Sequence, residues 1–260
     1  MIDRTSSRHA PSERPGFGNT IAAFRERSPL QPLCMEESDS LPAQVDENPA
    51  LFKIRLADNE GHRDAASFLV KRRYGWRGYR VDTFDAGHPN RIALSACDRY
   101  DATLATISVG LDSRAGLFVD TLYRAEVDSV RAANGRVCEF TKLAVAGEVR
   151  SKPVLAALFH IAFIYARDLK GCTDLFVEVN PRHVSFYMQM LEFVVCGEKR
   201  YDARVNASAV LLRLDLEIAE GRIEEMGGRA ELARRNRSLY PYFFSAREAA
   251  GIANRLRALD

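Results

Sequence analysis

The sequence predicts an α/β fold of the α+β type, in which helices flank a mixed central sheet and a helical extension follows at the C-terminal end. Two stretches carry this prediction. Residues 137–146 (V-C-E-F-T-K-L-A-V-A) are mostly apolar at both odd and even positions, which is typical of an interior strand covered on both faces. Residues 151–169 form a helix that is apolar nearly all round, as expected of a fully buried helix.

Length and composition limit what the chain can be. The 260 residues are 47% hydrophobic, enough for one domain with a large core. A formal net charge of +2 is too small for a general nucleic-acid-binding protein, and the five cysteines lack the spacing of a disulfide framework or a zinc site. The most apolar segment, residues 154–166, is shorter than the roughly 20 residues that cross a bilayer. We therefore expect a cytoplasmic protein with no transmembrane segment, no metal and no nucleic-acid partner.

The chain divides into a tail, a domain and an extension. Residues 1–49, rich in Pro, Ser and charge, are predicted to be a disordered tail, apart from a short helix at 21–27. The domain covers residues 50–216. Its predicted elements before the central strand are a strand at 51–56, a helix at 61–73, an antiparallel hairpin of 91–97 with 102–111, and a helix at 117–133.

The second half of the domain alternates in the same way. After the central strand the pattern predicts the buried helix at 151–169, which Ser151 can cap. A strand at 174–179, a helix at 181–191 and a closing hairpin of 193–201 with 208–216 follow. Residues 217–260 predict an extension of two or three amphipathic helices packed on the domain, with a break at Gly227 and Gly228.

Three polar residues stand in the middle of the central strand: Glu139, Thr141 and Lys142. Burying such groups is costly unless they are paired or used, so this strand is the first candidate for chemistry. In a regular strand Glu139 and Thr141 share one face with positions 143 and 145, and Lys142 points to the other. A bulge would change that orientation and would free a backbone N–H, of Ala144 or Val145, to stabilise an oxyanion.

Glu139 suits base chemistry on physical grounds alone. Desolvation in an apolar strand raises the pKa of a carboxyl, which makes it a better general base for a protonated amine. The alternative is a structural ion pair between Glu139 and Lys142 or an arginine. Thr141 could donate a hydrogen bond to a substrate, although threonine is common in strands.

The order of elements resembles the GNAT acyltransferase fold, and one segment makes the resemblance specific. In E-V-N-P-R-H-V-S-F-Y-M-Q-M-L-E-F (178–193), Asn180, Phe186, Tyr187 and Phe193 match the family pattern N-x-x-x-x-x-F-Y-x-x-x-G-F, with Glu192 where glycine is usual. The resemblance implies that Tyr187 protonates the departing thiolate, which a phenol can do at neutral pH. The alternative is a core tyrosine, because Tyr187 lies on an apolar helical stripe.

The turn after the central strand departs from the acetyl-CoA members of that superfamily. Residues 146–153 (A-G-E-V-R-S-K-P) hold one glycine, so their backbone cannot approach a pyrophosphate closely. Arg150 and Lys152 could still hold a single phosphate at the helix end. A carrier-protein phosphopantetheine arm ends in one phosphodiester, so we expect acyl-phosphopantetheine of acyl carrier protein as donor and no bound cofactor. The alternative reading is two solvated loop cations.

The central strand itself, E-F-T-K-L-A-V (139–145), resembles that of acyl-homoserine-lactone synthases and of long-chain N-acyl amino acid synthases, both of which transfer a fatty acyl chain from acyl carrier protein to an amine. Residues 65–257 look most like the second group. The resemblance implies Glu139 as general base or amine-positioning carboxylate. Together with the residue arguments, it gives these expected substrate-binding residues: Thr141, Lys142, Ala144, Val145, Arg72, Trp76, Asn180 and His183. For Arg72 and Trp76 the alternative is surface arginines beside a packed tryptophan.

The sequence therefore predicts an N-acyltransferase that moves a long-chain acyl group from acyl carrier protein to the amine of an amino acid. Three alternatives stay open. A homoserine-lactone synthase would use S-adenosylmethionine, and a catalytically silent acyl-binding module would keep the fold without turnover. Plain acetyl-CoA acetylation is disfavoured by the missing glycines.

Overall fold

The computed structural model describes residues 20–26, 50–75, 90–147 and 151–260, and a nine-stranded mixed sheet lies at its centre. The strands run in the order β1-β2-β3-β4-β5-β6-β9-β7, and β8 pairs with β9 outside that path. Among these pairings only β5 with β6 is parallel. The strands are β1 (Thr20–Glu26), β2 (Ala50–Leu56), β3 (Arg91–Cys97), β4 (Thr103–Leu111), β5 (Val137–Val145), β6 (Asp174–Val179), β7 (Val194–Val195), β8 (Arg200–Asp202) and β9 (Ala207–Asp215).

Helices cover both faces of the sheet. The six α-helices are α1 (Glu60–Gly75), α2 (Asp120–Ala132), α3 (Lys152–Phe163), α4 (Val184–Leu191), α5 (Leu216–Met226) and α6 (Ala246–Leu259). Helices α1 and α2 pack on the face that carries Glu139, here called the α1 face. Helix α3 packs on the opposite, α3 face, where its apolar residues join the main core. The predicted fold class, a mixed sheet between helices, is confirmed.

Most predicted elements exist. The predicted strand at 193–201 is split into β7 and β8, which both pair with β9. Two helices also differ in detail. The Ser151 hydroxyl accepts a hydrogen bond from the Val154 backbone N–H and caps α3 as predicted, but the helix continues as a π-helical turn over Ile164–Leu169. The helix predicted at 181–191 begins as a 3-10 turn, Pro181–His183, before α4. Both changes lie at helix ends, where backbone hydrogen bonds shift most easily.

The short helix predicted at 21–27 is wrong, because Thr20–Glu26 is strand β1. It pairs antiparallel with β2 along the sheet edge and buries Ile21 completely. A seven-residue stretch has too few local contacts to hold a helix by itself, so tertiary pairing decides its conformation. The rest of the predicted tail, residues 1–19 and 27–49, lies outside the described residues.

A β-bulge divides the central strand β5. Thr141 pairs with Ser108 and Ala144 pairs with Thr106, so two residues of β5 stand opposite one of β4. Lys142 takes the left-handed conformation, with φ of 53°. The bulge reverses the alternation of side chains beyond Thr141. Glu139 and Thr141 lie on the α1 face, and Ala144 lies there too. Leu143 and Val145 pack on the main core, on the α3 face. The regular alternation predicted beyond Thr141 is therefore wrong.

The parallel contact between β5 and β6 is short. It covers three residue pairs, from Val137–Asp174 to Glu139–Phe176. Beyond Glu139 the described strands continue, β5 to Val145 and β6 to Val179, without further pairing to each other. A gap between two strands therefore opens directly after Glu139, in the middle of the sheet.

The C-terminal helices share the main core. Residues of α5 and α6, including Ala219, Met226, Ile252 and Leu256, are buried in the same cluster as α3. Among the described helices, none is both long and apolar enough to cross a membrane.

Candidate active site

Glu139 is completely buried at the end of the parallel pairing. Its Oε1 accepts hydrogen bonds from the Phe118 backbone N–H at 2.9 Å and pairs with Arg91 Nη2 at 3.1 Å. Its Oε2 accepts a hydrogen bond from the Val119 backbone N–H at 3.0 Å. Burial raises the pKa of Glu139, while the Phe118 N–H and the Arg91 charge oppose that rise.

Strand register makes room for this carboxylate. Arg91 of β3, Gly110 of β4, Glu139 of β5 and Phe176 of β6 form one line across the sheet. A Cβ on Gly110 would lie 2.9 Å from both Cγ and Oε1 of Glu139, so only glycine lets the side chain pass over β4. Sequence reasoning offered an arginine as the alternative partner of Glu139 without its position, and only the register identifies it as Arg91. Gly110 was missed for the same reason.

The ring of Phe118 collects two cations beside Glu139. The guanidinium carbon of Arg91 lies 3.5 Å from the ring centroid, and Lys142 Nζ lies 5.8 Å from it. Because the left-handed bulge turns the Lys142 side chain to this face, Lys142 lies on the same side of the sheet as Glu139. The structure thus brings Glu139, Thr141, Lys142 and Ala144 to one region, and leaves Val145 on the other face.

Two tyrosines lie on opposite faces of the sheet, one packed in the core on the α3 side and one bound to the backbone of β5. Tyr187 of α4 is buried among Phe159, Phe186 and Phe193 on the α3 side. Tyr74 of α1 donates its hydroxyl hydrogen to the Leu143 carbonyl at 3.0 Å. Burial, and secondarily the nearby Tyr74, raises the pKa of Tyr187, which keeps its phenol protonated. No hydrogen bond from the Tyr187 hydroxyl joins it to another residue in the described part of the chain.

The loop between β5 and α3 carries the candidate phosphate ligands. Lys152 is half-buried in the first turn of α3, next to the Ser151 cap. Arg150 lies outside the described residues. Arg73, at the end of α1, reaches this loop, since a Cβ on Gly147 would lie 3.3 Å from Arg73 Nη1. The structure therefore adds Arg73 to the cations near the amino end of α3.

The remaining predicted substrate residues lie at the rim or outside the described chain. Arg72 is exposed in the last turn of α1, and Trp76 falls among the residues that are not described. Asn180 caps the 3-10 turn, accepting from the Arg182 N–H and donating to the Ser208 carbonyl, both at 3.3 Å. His183 Nε2 accepts from Arg182 Nε at 3.1 Å.

Two further carboxylates, Glu178 and Asp202, form a pair beside the gap that sequence reasoning missed. Glu178 follows Phe176 by two residues on β6 and so lies on the α1 face. Arg204 Nη2 bridges Glu178 at 3.1 Å and Asp202 at 2.8 Å, while its Nη1 donates to the Phe118 carbonyl at 3.0 Å. Burial and then the neighbouring Asp202 carboxyl raise the pKa of Glu178 to about 8.

The Glu178→Gln variant is expected to flatten the pH dependence of stability. The folded chain holds the Glu178 proton up to a pKa of about 8, against an ordinary 4.5, so the wild-type free energy of unfolding should fall as pH rises through this window. A neutral amide cannot ionise and removes that slope. Urea unfolding at pH 5 and pH 8 measures the difference between the two proteins. Equal slopes would contradict the assignment.

No group of three or more His, Cys, Asp or Glu within the described ranges is placed to hold a metal ion. What the described residues do assemble is a buried carboxylate, a buried phenol and a set of cations around an opening in the sheet.

A solved structure of an acyltransferase shares this architecture, and two others are similar to a lower degree. The structure of FeeM, an N-acyl amino acid synthase from uncultured soil microbes, superposes with a TM-score of 0.60 at 26% identity, covering 66% of this chain and 94% of that one. The structure of an acyl-CoA N-acyltransferase from Pseudomonas aeruginosa has a TM-score of 0.42 at 12% identity, and the match covers 63% of this chain and 98% of that one. The structure of a mutant of spermidine N-acetyltransferase SpeG from Vibrio cholerae has a TM-score of 0.43 at 12% identity, and the match covers 66% of this chain and 97% of that one. No curated protein sequence matches this one significantly.

The fold is that of a GNAT-like N-acyltransferase. The family model described as N-acyl amino acid synthase FeeM matches residues 65–215, more than half of the chain. The protein belongs to this family of N-acyl amino acid synthases, as the motifs of the central strand predicted.

Proposed function

We propose that the protein transfers a long-chain fatty acyl group from the thioester of acyl carrier protein to the amine of an amino acid. The observation that carries this proposal is the gap that opens between β5 and β6 directly beyond Glu139. A buried carboxylate lies at the start of the gap and a buried phenol approaches it from the other face. An extended thioester arm entering the gap would meet an acceptor amine on the α1 face.

On this proposal Glu139 receives the amine. An ionised carboxylate offers about four lone-pair positions, and three of them are used by Phe118, Val119 and Arg91. One position on Oε2 is left for an N–H of the acceptor, to which Glu139 acts as base or positioning group. Thr141 and Lys142 bind the acceptor beside it, and Arg72, Asn180 and His183 line its entrance. Trp76, which lies outside the described residues, stays a prediction from the sequence.

The chemical step then balances without a resident cofactor. The amine nitrogen forms a bond to the thioester carbonyl carbon, and the oxyanion is stabilised by the backbone N–H of Ala144 or Val145. The C–S bond breaks, the nitrogen gives up a proton toward Glu139, and the departing thiolate takes a proton from Tyr187. The raised pKa keeps the Tyr187 phenol protonated until the thiolate forms, and the phenolate left behind, which burial disfavours, regains a proton as Glu139 releases the one it took.

The cations near the amino end of α3 support the proposal that the phosphate of the carrier's phosphopantetheine arm binds there. Lys152 and Arg73 lie by the loop after β5. The phosphate role of Arg150, which lies outside the described residues, stays a prediction from the sequence. A single phosphodiester needs fewer backbone donors than a pyrophosphate, which fits the one glycine of this loop. On this basis acyl carrier protein, rather than free coenzyme A, is the proposed donor and partner.

The test offers purified protein a panel of amino acids with acyl carrier proteins charged with long chains, in parallel with the matching acyl-CoA thioesters. Mass spectrometry of the products should show N-acyl amino acids with the carrier-bound donor. A faster reaction with acyl-CoA would overturn the donor, a lactone formed with S-adenosylmethionine would indicate the synthase alternative, and no product with any pair would overturn the reaction.

The Tyr187→Phe variant is expected to lose about 100-fold in kcat with little change in stability, because the ring keeps its contacts with Phe159 and Phe193 and only the proton donor is removed. Steady-state kinetics and thermal unfolding measure both quantities. Phe186→Leu, which changes a neighbouring ring without touching a phenol, is the matched control and should retain most of kcat. An unchanged kcat in Tyr187→Phe would mean that another group protonates the thiolate.

A further inference from the structure

Unpaired buried polar atoms are concentrated on one part of the α1 face. Six buried side-chain N or O atoms of the described residues have no hydrogen-bond partner. Five of them form a band across four neighbouring strands, and the sixth, Ser238 Oγ, lies elsewhere. The band consists of Arg55 Nε, Ser95 Oγ, Thr106 Oγ1, Ser108 Oγ and Thr141 Oγ1.

The register shows that the band is continuous. Ser95 of β3 pairs with both Arg55 of β2 and Thr106 of β4, and Ser108 of β4 pairs with Thr141 of β5. With strands about 4.8 Å apart and residues about 3.3 Å apart along each strand, Thr141 and Ser95 are separated by about 12 Å. Thr141 follows Glu139 by two residues, so the band begins beside the proposed amine position.

The band costs stability in the empty protein. Each unpaired buried hydroxyl loses its hydrogen bonds to water, at a cost of about 1–3 kcal/mol. Ser95, Thr106 and Ser108 are each less than a tenth exposed, so solvent does not compensate them. A hydroxyl rotates freely toward any partner in reach, and alanine or valine would fill the same strand positions without the cost. The fold itself therefore gives no reason for this set of hydroxyls.

We infer that this band is the recognition surface for the acceptor amino acid and hydrogen-bonds its polar groups other than the reacting amine. The inference rests on the proposed acceptor position at Glu139. Lys142 lies at one end of the band, where its charge favours the acceptor carboxylate. At the other end Arg55 pairs with Asp101 at 3.3 Å and leaves its Nε for a polar group of the acceptor. Hydroxyls between them both donate and accept, which suits a polar side chain along the band. Ser95, Thr106 and Ser108 are thereby assigned as specificity-determining residues.

The experiment compares Thr106→Val and Ser108→Ala with Ser238→Ala, a matched control that removes the unpaired hydroxyl outside the band. All three variants should unfold at the wild-type temperature or above it, since each loses an unsatisfied buried group. Only the two band variants should raise KM for the acceptor, by about tenfold or more, with KM for the acyl donor unchanged. An acceptor KM within twofold of wild type in both band variants overturns the inference, as does destabilisation of either.

A second measurement separates this inference from the proposed reaction. The unfolding temperature of the unliganded wild-type protein is recorded with each standard amino acid at millimolar concentration and no acyl donor. At least one amino acid should raise it in wild type and Ser238→Ala but not in Thr106→Val. If no amino acid raises the unfolding temperature of the wild-type protein, the inferred recognition surface is wrong. If an amino acid raises the unfolding temperature but no N-acyl product forms in the acyl-transfer assay, the proposed reaction is wrong and the recognition surface is still supported.

Discussion

Glu139→Gln is expected to reduce kcat/KM at least about 100-fold and to lower the free energy of unfolding by about 3 kcal/mol. The Phe118 and Val119 N–H groups donate to different oxygens of Glu139, so the amide oxygen of glutamine can keep one of these hydrogen bonds and the amide nitrogen cannot accept the other. Arg91 also loses its buried counter-charge at 3.1 Å. Denaturant unfolding and steady-state kinetics on the same preparation measure both effects.

The pH profile distinguishes a base from a structural group. If Glu139 accepts the amine proton, the acidic limb of the wild-type kcat/KM profile reflects its raised pKa and disappears in Glu139→Gln. Glu126→Gln is the matched control. Glu126 lies on α2 away from the gap, is a fifth exposed and pairs with Arg200, and the substitution neutralises its carboxylate. It should cost less than about 1 kcal/mol and leave kcat unchanged. A folded Glu139→Gln protein with wild-type kcat/KM would disprove the assignment.

Gly110→Ala is expected to destabilise the fold by about 1–3 kcal/mol and to reduce turnover together with it. The new methyl would lie 2.9 Å from Cγ and Oε1 of Glu139, which is fixed by three partners and cannot move without breaking them. Calorimetric unfolding and acyl-transfer kinetics measure the change.

Gly221→Ala provides the control for that substitution. Gly221 lies within α5, and an added methyl there meets nothing within 4 Å. The variant should be more stable by about 0.5–1 kcal/mol, because alanine loses less backbone entropy in a helix. If Gly110→Ala were as stable as Gly221→Ala, the close approach of Glu139 to β4 would not exist in solution.

The prediction of the acidic centre depended on local sequence alone. A carboxylate within an apolar strand is conspicuous wherever the strand lies, so Glu139 was found without any contact information. Its partners could not be found in the same way. Arg91 and Gly110 lie 48 and 29 positions earlier in the chain, and only pairing along one line of the sheet brings them to Glu139.

The same limit explains the other differences. The hydroxyls of Ser95, Thr106 and Ser108 look like ordinary strand residues until the register aligns them. Glu178 and Asp202 were separated by a turn and a helix, and Arg204 joins them only after β8 and β9 pair. Strand β1 was missed because its apolar residues are buried by β2 and the core rather than by their own neighbours.

By itself the sequence determined the order of the elements, the buried helix, the family and the acidic strand, because hydrophobic period and motif spacing are local properties. Only the tertiary structure decided how that strand is used. The bulge at Lys142 reverses the faces beyond Thr141, and the end of parallel pairing at Glu139 opens the gap. Both depend on register between distant strands, where a shift of one residue moves every side chain to the other face.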